Sequence, residues 1–265
     1  MSNQFYAIGE GRAGKVRDLF ATVAPHYDLI NDLQSFGLHR WWKRKLIQMA
    51  NPKPLDRAID LCCGTGDIAF ALAARGASVI GLDFSEPMLG VARRRQLRRT
   101  AALRAAAVEV SKGASHLPAP ASSSHPQPDF VEFIQGDAQA LAFEDGSFDI
   151  VTIGYGLRNL ADPKAGLLEM RRVLKPGGRL LVLDFGKPDN PLWRALYFAY
   201  LRFVVPVFGR VFCGDSQTHS YIFESLRHYP AQKGIAAIMR ELGCSDVRVQ
   251  NLMGGIMSIN YGRKT

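Results

Sequence analysis

The chain has 265 residues, an apolar fraction of 47% and a formal net charge of +9 at pH 7. This is enough for one large α/β domain with decorations, and the positive balance favours anionic surfaces, whether nucleic acid, acidic lipid headgroups or an anionic substrate. Four cysteines with no C-x-x-C spacing argue against a zinc site and a disulfide framework and fit a reducing, cytoplasmic setting. No secretory signal pattern opens the chain, and no apolar run reaches membrane-spanning length.

The first 50 residues read as a helical segment ahead of the main domain. Strand-like runs then follow at 57–62, 78–83, 131–135, 148–154 and 179–185, alternating with helical segments at 66–75, 86–100 and 163–173. Such alternation implies βαβ units and a parallel sheet. A helix at 231–242 and two β-like runs at 246–251 and 256–261, joined through Gly254-Gly255, complete the pattern. The expected fold is α/β: a seven-stranded, mostly parallel sheet with an antiparallel hairpin at its edge and helices on both faces, in a single domain over 1–265.

The first βαβ unit carries the chemistry. Asp60-Leu-Cys-Cys-Gly64-Thr65-Gly66-Asp67 runs from a strand through a glycine turn into a helix, and the next strand stops on Asp83. Glycines at such a turn let a ligand approach the backbone, and a strand-end carboxylate can accept both hydroxyls of a ribose. The pattern also satisfies the loose dinucleotide fingerprint, so NAD competes with S-adenosylmethionine (SAM). Asp60 and Asp67 flank the glycines. A pyrophosphate would be repelled there, whereas the ammonium and sulfonium of SAM tolerate acidic neighbours, so SAM is the expected cofactor. The turn also resembles motif I of class I methyltransferases. In those enzymes an acidic or amide residue after the third strand meets the adenine amino group, which implies that role for Asp137, with Ala138 beside it.

Two segments stand outside this scheme. Residues 96–128 begin with arginines, pass through Ala-rich sequence and end in LPAPASSSHPQP; the composition predicts a solvated helix end followed by a disordered insert. Its arginines could form a nucleic-acid patch, but no aromatic lies between Phe84 and Phe130 to stack on a base, so no nucleic-acid partner is expected. Residues 187–228 read as a helical lid. Within them 191–213 are dense in aromatics and aliphatics, with Arg194, Arg202 and Arg210 but no acid, and Pro206 breaks any continuous helix. A buried helix pair is one reading. A peripheral contact with an anionic membrane is the other and the preferred one, with arginines facing the headgroups.

The N-terminal stretch Tyr27-Asp28-x-x-Asn31, with Ser35, His39 and Trp42 following, resembles a signature of the ubiquinone/menaquinone biosynthesis C-methyltransferases. Arg172–Gly186, Gly156-Leu-Arg158-Asn159 and Asn251–Ile256 also resemble that family. Asp184, Gly186 and Gly154 depart from it, standing where the family has Glu, Ser and Ser, the last near the cofactor. The resemblance implies SAM-dependent C-methylation of a prenylated quinol, without a metal. A base or a positive charge must then help an adjacent hydroxyl release its proton, so that the ring carbon can attack the sulfonium methyl. His39, Tyr27, Asp28 and Arg158 are the candidates, Arg158 first, because a guanidinium stays charged and can stabilise a quinolate oxygen. An alternative is a methyltransferase acting on another small molecule or on RNA. Whether the ring is a benzene or a naphthalene, and whether the chain forms a homodimer, stays open at this level.

Overall fold

A computed structural model describes residues 24, 27–113, 130–207 and 217–265. Two short helices, α1 (Tyr27–Ser35) and α2 (Leu38–Ala50), precede the sheet. The chain then runs β1 (Arg57–Leu61), α3 (Asp67–Ala73), β2 (Ser78–Asp83), α4 (Glu86–Gly113), β3 (Val131–Gln135) and β4 (Phe148–Gly154). It continues through α5 (Pro163–Val173), β5 (Leu174–Phe185), α6 (Pro191–Ala199), α7 (Gln217–His228) and α8 (Ala231–Glu241). The closing hairpin is β6 (Cys244–Leu252) and β7 (Met257–Lys264).

The seven strands lie in the order β3-β2-β1-β4-β5-β7-β6. β1 to β5 pair in parallel, while β7 runs antiparallel to both β5 and β6. The chain winds outward from β1 to β3 and then returns to place β4 on the other side of β1. That reversal leaves a crevice beyond the carboxyl ends of β1 and β4, the position where open α/β sheets bind ligands.

Side chains alternate across each strand, so successive residues join different layers. Ile59, Leu61, Val151 and Ile153 pack with Leu167, Met170 and Ile235 on the α5/α8 face. Ala58 and Ile150 pack with Trp42, Leu46, Phe70 and Leu89 on the α2/α3/α4 face. Asp60 and Thr152 share the parity of Ala58 and Ile150, which puts both polar groups inside the second layer, 1% and 0% exposed.

Two expected elements come out differently. β5 starts at Leu174 rather than 179, because Leu174 pairs with Phe148 before a register shift that carries Lys175–Gly178 out of the ladder. α4 continues to Gly113 rather than ending near 100. Residues 101–106 on it are exposed, so the intrinsic propensity of alanine sustains this part of the helix without burial; residues 114–129 lie outside the described residues. Residues 191–207 do not take the buried-pair reading. α6 is capped by Asn190, whose side chain accepts from the Trp193 amide, and Pro191 takes the first helical position. A π turn, Tyr200–Val204, follows, in which the Val205 amide reaches back five residues to the Tyr200 carbonyl just before Pro206, which has no N–H to offer. Tyr197, Leu201 and Val205 point inward, while Leu192, Leu196, Phe203 and Val207 are 55–71% exposed.

Candidate active site

The turn after β1 is drawn against β2 by backbone and side-chain hydrogen bonds. Cys63 donates its amide to the Leu82 carbonyl at 3.0 Å, and the Gly64 amide donates to Asp83 Oδ2 at 2.8 Å. The Ser85 amide donates to Asp83 Oδ1, also at 2.8 Å. Each Asp83 oxygen therefore holds one amide hydrogen and keeps acceptor capacity for a second donor. Two such oxygens suit a vicinal diol. Burial raises the Asp83 pKa.

Asp83 lines a largely apolar pocket together with Cys62, Gly64, Phe84, Met88, Asp137, Ala138, Gly154, Tyr155 and Asn159. Phe84, Met88 and Ala138 offer surfaces suited to a flat ring next to the ribose acceptor. The exposed Asp137 accepts the Gln139 amide through Oδ1 at 2.8 Å. Together these residues fit a nucleoside. Asp83, Gly64, Asp137, Ala138 and Gly154 are thus brought to one pocket.

Other expected cofactor residues take different places. Gly66 does not line the pocket: it has φ +89°, and a Cβ there would stand 2.8 Å from the Phe133 ring and 3.0 Å from Phe70. Its lack of a side chain serves packing behind the turn rather than ligand approach. Thr65 is 3% exposed, and its hydroxyl donates to Asp28 Oδ1 at 2.9 Å, fastening α1 to the turn. Asp60 is buried behind the pocket, where Thr152 Oγ1 donates to its Oδ1 at 2.7 Å while Oδ2 lies within the geometric hydrogen-bond limits of no partner among the described residues. Burial lifts its pKa to about 7.

These placements correct the electrostatic argument drawn from the flanking carboxylates. Burial holds Asp60 toward its neutral, protonated form. Asp67 is an anion already matched: burial, which raises its pKa, is outweighed by Lys43 and Arg95, which hold it down to about 2. Lys43 donates to Asp67 Oδ2 at 2.7 Å and Arg95 to Oδ1 at 2.6 Å. The carboxylates that face the pocket are Asp83 and Asp137. Lys43 and Arg95 gave no signal in the sequence, because their partner Asp67 lies 24 and 28 residues away.

On the far wall of the pocket, Tyr155 sits at φ +61°, an uncommon conformation for a bulky residue. It turns its carbonyl toward Arg158 Nη1 at 2.6 Å and Asn159 Nδ2 at 3.2 Å. Arg158 is 6% exposed and also donates from Nη1 to Asp184 Oδ1 at 2.8 Å, over the Phe185 ring at 4.6 Å. Asp184 further accepts the Arg158 and Phe185 amides. Arg158 therefore stands behind the pocket wall, held by Asp184.

The departures noted in the sequence have local causes. A Cβ on Gly154 would stand 2.4 Å from Ile68 Cδ1, and one on Gly186 would stand 2.4 Å from the Gly255 carbonyl. His39 and Asp28 line a second groove, between α2, α3 and α4, and neither lines the nucleoside pocket. His39 Nδ1 lies 2.9 Å from Ser35 Oγ and 3.6 Å from Asp32. Burial, then Lys43, lowers its pKa. Tyr27 opens α1, but its side chain lies outside the described residues. The pocket residues that sequence reasoning missed, Cys62, Phe84, Met88, Tyr155 and Asn159, sit just past the carboxyl ends of β1, β2 and β4. Their positions after a strand were the available signal.

The ubiE/COQ5 methyltransferase family model matches residues 8–125 and 127–264. The chain is 36% identical over 259 residues to the demethylmenaquinone methyltransferase of Desulfitobacterium hafniense, covering 97% of this chain and 92% of that protein. It is 38% identical over 260 residues to the ubiquinone/menaquinone biosynthesis C-methyltransferase UbiE of Ectopseudomonas mendocina, covering 96% and 90%. Among solved structures, the magnesium protoporphyrin IX methyltransferase of Synechocystis with bound SAH superposes with a TM-score of 0.62 at 17% identity, over 95% of this chain and 99% of that one. That likeness concerns the fold alone. A sheet of this order, a pocket built on Asp83 and family matches along nearly the whole length converge: the chain is a SAM-dependent methyltransferase and belongs to the ubiE/COQ5 methyltransferase family.

Proposed function

We propose that the protein C-methylates a prenylated quinol in respiratory quinone biosynthesis, with a demethylmenaquinol or the corresponding benzoquinol as substrate. The observation that carries this reading is the family match together with relatives named for both quinone classes, including the mitochondrial 2-methoxy-6-polyprenyl-1,4-benzoquinol methylase of Oryza sativa, 36% identical over 96% of this chain. SAM supplies an electrophilic methyl group to the ring carbon. Asp83 takes the ribose hydroxyls, Asp137 the adenine amino group, and Gly64 lets the cofactor approach the turn.

In this reading Arg158 is the positive charge nearest the substrate side. It stands behind the wall formed by Gly156 and Asn159, where Asp184 and the Tyr155 carbonyl hold it in one orientation. Its fixed guanidinium stabilises negative charge that develops on the quinol oxygen as the proton leaves. The exposed apolar face of α6 and the π turn, with Arg194 and Arg202 on the same segment and no acid, suits peripheral contact with an anionic bilayer, where the isoprenoid tail resides. No described helix is long and apolar enough to cross a membrane.

Incubation with methyl-labelled SAM and membrane lipids, followed by mass identification of the product, tests the reaction. A labelled, ring-methylated quinone is the expected product; label confined to RNA or to a water-soluble product refutes the proposal. Co-sedimentation with phosphatidylglycerol vesicles at low salt tests the membrane contact, and a Leu196→Glu/Phe203→Glu variant should stay in the supernatant. If the variant and the unmodified protein sediment alike, α6 is not the docking face.

A further inference from the structure

The groove that holds His39 and Asp28 has no part in the reaction above, yet its walls are strongly cationic. On α2, Arg40, Lys43, Arg44, Ile47 and Gln48 recur at intervals of three and four residues, so they share one face of the helix. On the facing side, Ala71, Ala74 and Arg75 come from α3 and its C-terminal end, and Arg95 comes from α4. Ala71 and Ala74 line the floor with short side chains, and the cations stand around it.

The charges in this groove do not cancel. Arg40 pairs with Asp32 at 2.5 Å, and Asp67 is shared between Lys43 and Arg95. Asp28 adds a longer contact of 3.3 Å to Arg95. Among the described residues Arg44 donates only to the Arg40 carbonyl, through Nε at 3.3 Å. Arg75 makes no side-chain hydrogen bond or ion pair among the described residues. Two exposed guanidiniums, one on α2 and one at the end of α3, thus keep their planar donor edges available on opposite walls of the same groove. Such forks match the oxygens of a phosphate, and low ground between them gives the anion room.

We propose that this groove binds a phosphate-bearing anion, held by Arg44 and Arg75 across the alanine floor, at a site separate from the nucleoside pocket. A soluble phosphate or diphosphate and a phospholipid headgroup share this chemistry. Titration calorimetry of the full chain with pyrophosphate at constant ionic strength tests the free anion; flotation with phosphatidylglycerol against phosphatidylcholine vesicles tests the headgroup. Saturable binding is expected in at least one arm, and Arg44→Gln/Arg75→Gln should weaken it about ten-fold, the loss of charge-assisted hydrogen bonds from two forks. Arg44→Lys/Arg75→Lys keeps the charge without the forks and should fall between. Both positions are exposed and lie outside the reaction machinery, so methyl transfer should be unchanged in both variants. Absence of saturable binding in both arms overturns the proposal. So does any binding of equal strength in the Gln variant; vesicle binding that survives it would belong to α6.

Discussion

Asp60→Asn should make the protein more stable, and increasingly so as the pH rises. The side chain is 1% exposed, one oxygen is hydrogen-bonded to Thr152 and the other lies within the geometric hydrogen-bond limits of no partner among the described residues. Burial lifts its pKa from 3.8 to about 7 in the folded chain. An acid with a raised pKa holds its proton longer when folded than when unfolded, so its contribution to stability diminishes as pH rises between those two values and levels off above the higher one. A difference of roughly three pKa units corresponds to about 4.4 kcal/mol at pH 9, of which about 1.7 kcal/mol is already felt at pH 5, taking about 1.4 kcal/mol per unit. The asparagine is neutral throughout, and the Thr152 hydroxyl can reorient to either amide atom. Between pH 5 and pH 9 the unmodified protein should therefore lose about 2.7 kcal/mol more than the variant, read by urea denaturation without cofactor. Parallel pH profiles for the two proteins would mean that Asp60 is charged in the folded state at pH 5, and would refute this account of the turn.

Other consequences are as direct. Asp83→Ala removes the acceptors for two hydroxyls and should weaken SAM binding at least about 100-fold by calorimetry, since each hydrogen bond to a charged group is worth roughly 1.5–3 kcal/mol; a change below three-fold would remove Asp83 from the ribose site. Arg158→Ala leaves Asp184 buried and unpaired and should cost about 3–5 kcal/mol of stability. Adding Asp184→Ala should recover part of it, and methyl transfer at the normal rate by that double variant would exclude Arg158 from the reaction. Gly154→Ala drives a methyl group to within 2.4 Å of Ile68 Cδ1 and should destabilise by about 1–3 kcal/mol. Ile68→Val, which deletes that atom, should relieve it; additive effects in the double-mutant cycle would show that the two sites do not touch.

The alternation of strands and helices, the hairpin at the sheet edge and the glycine turn ending at Asp83 were legible in the chain itself, because each depends on local periodicity or on residues within one βαβ unit. Family signatures pointed to the same enzyme class. The length of α4 was misread because low burial was taken to mean low order, whereas alanine favours a helix without needing a core. The electrostatics of the turn required the fold. Asp67 looked like a free charge until α2 and α4 brought Lys43 and Arg95 to it, and Asp60 looked like a charge flanking the cofactor turn until strand parity turned it into the α2/α3/α4 layer. Arg158 met Asp184 across 26 residues of chain, and His39 was carried to a groove outside the nucleoside pocket. Residue types and their spacing along one strand or helix can be read in sequence; the partner of a charge, and hence its pKa and its role, depends on which distant elements the sheet order makes neighbours.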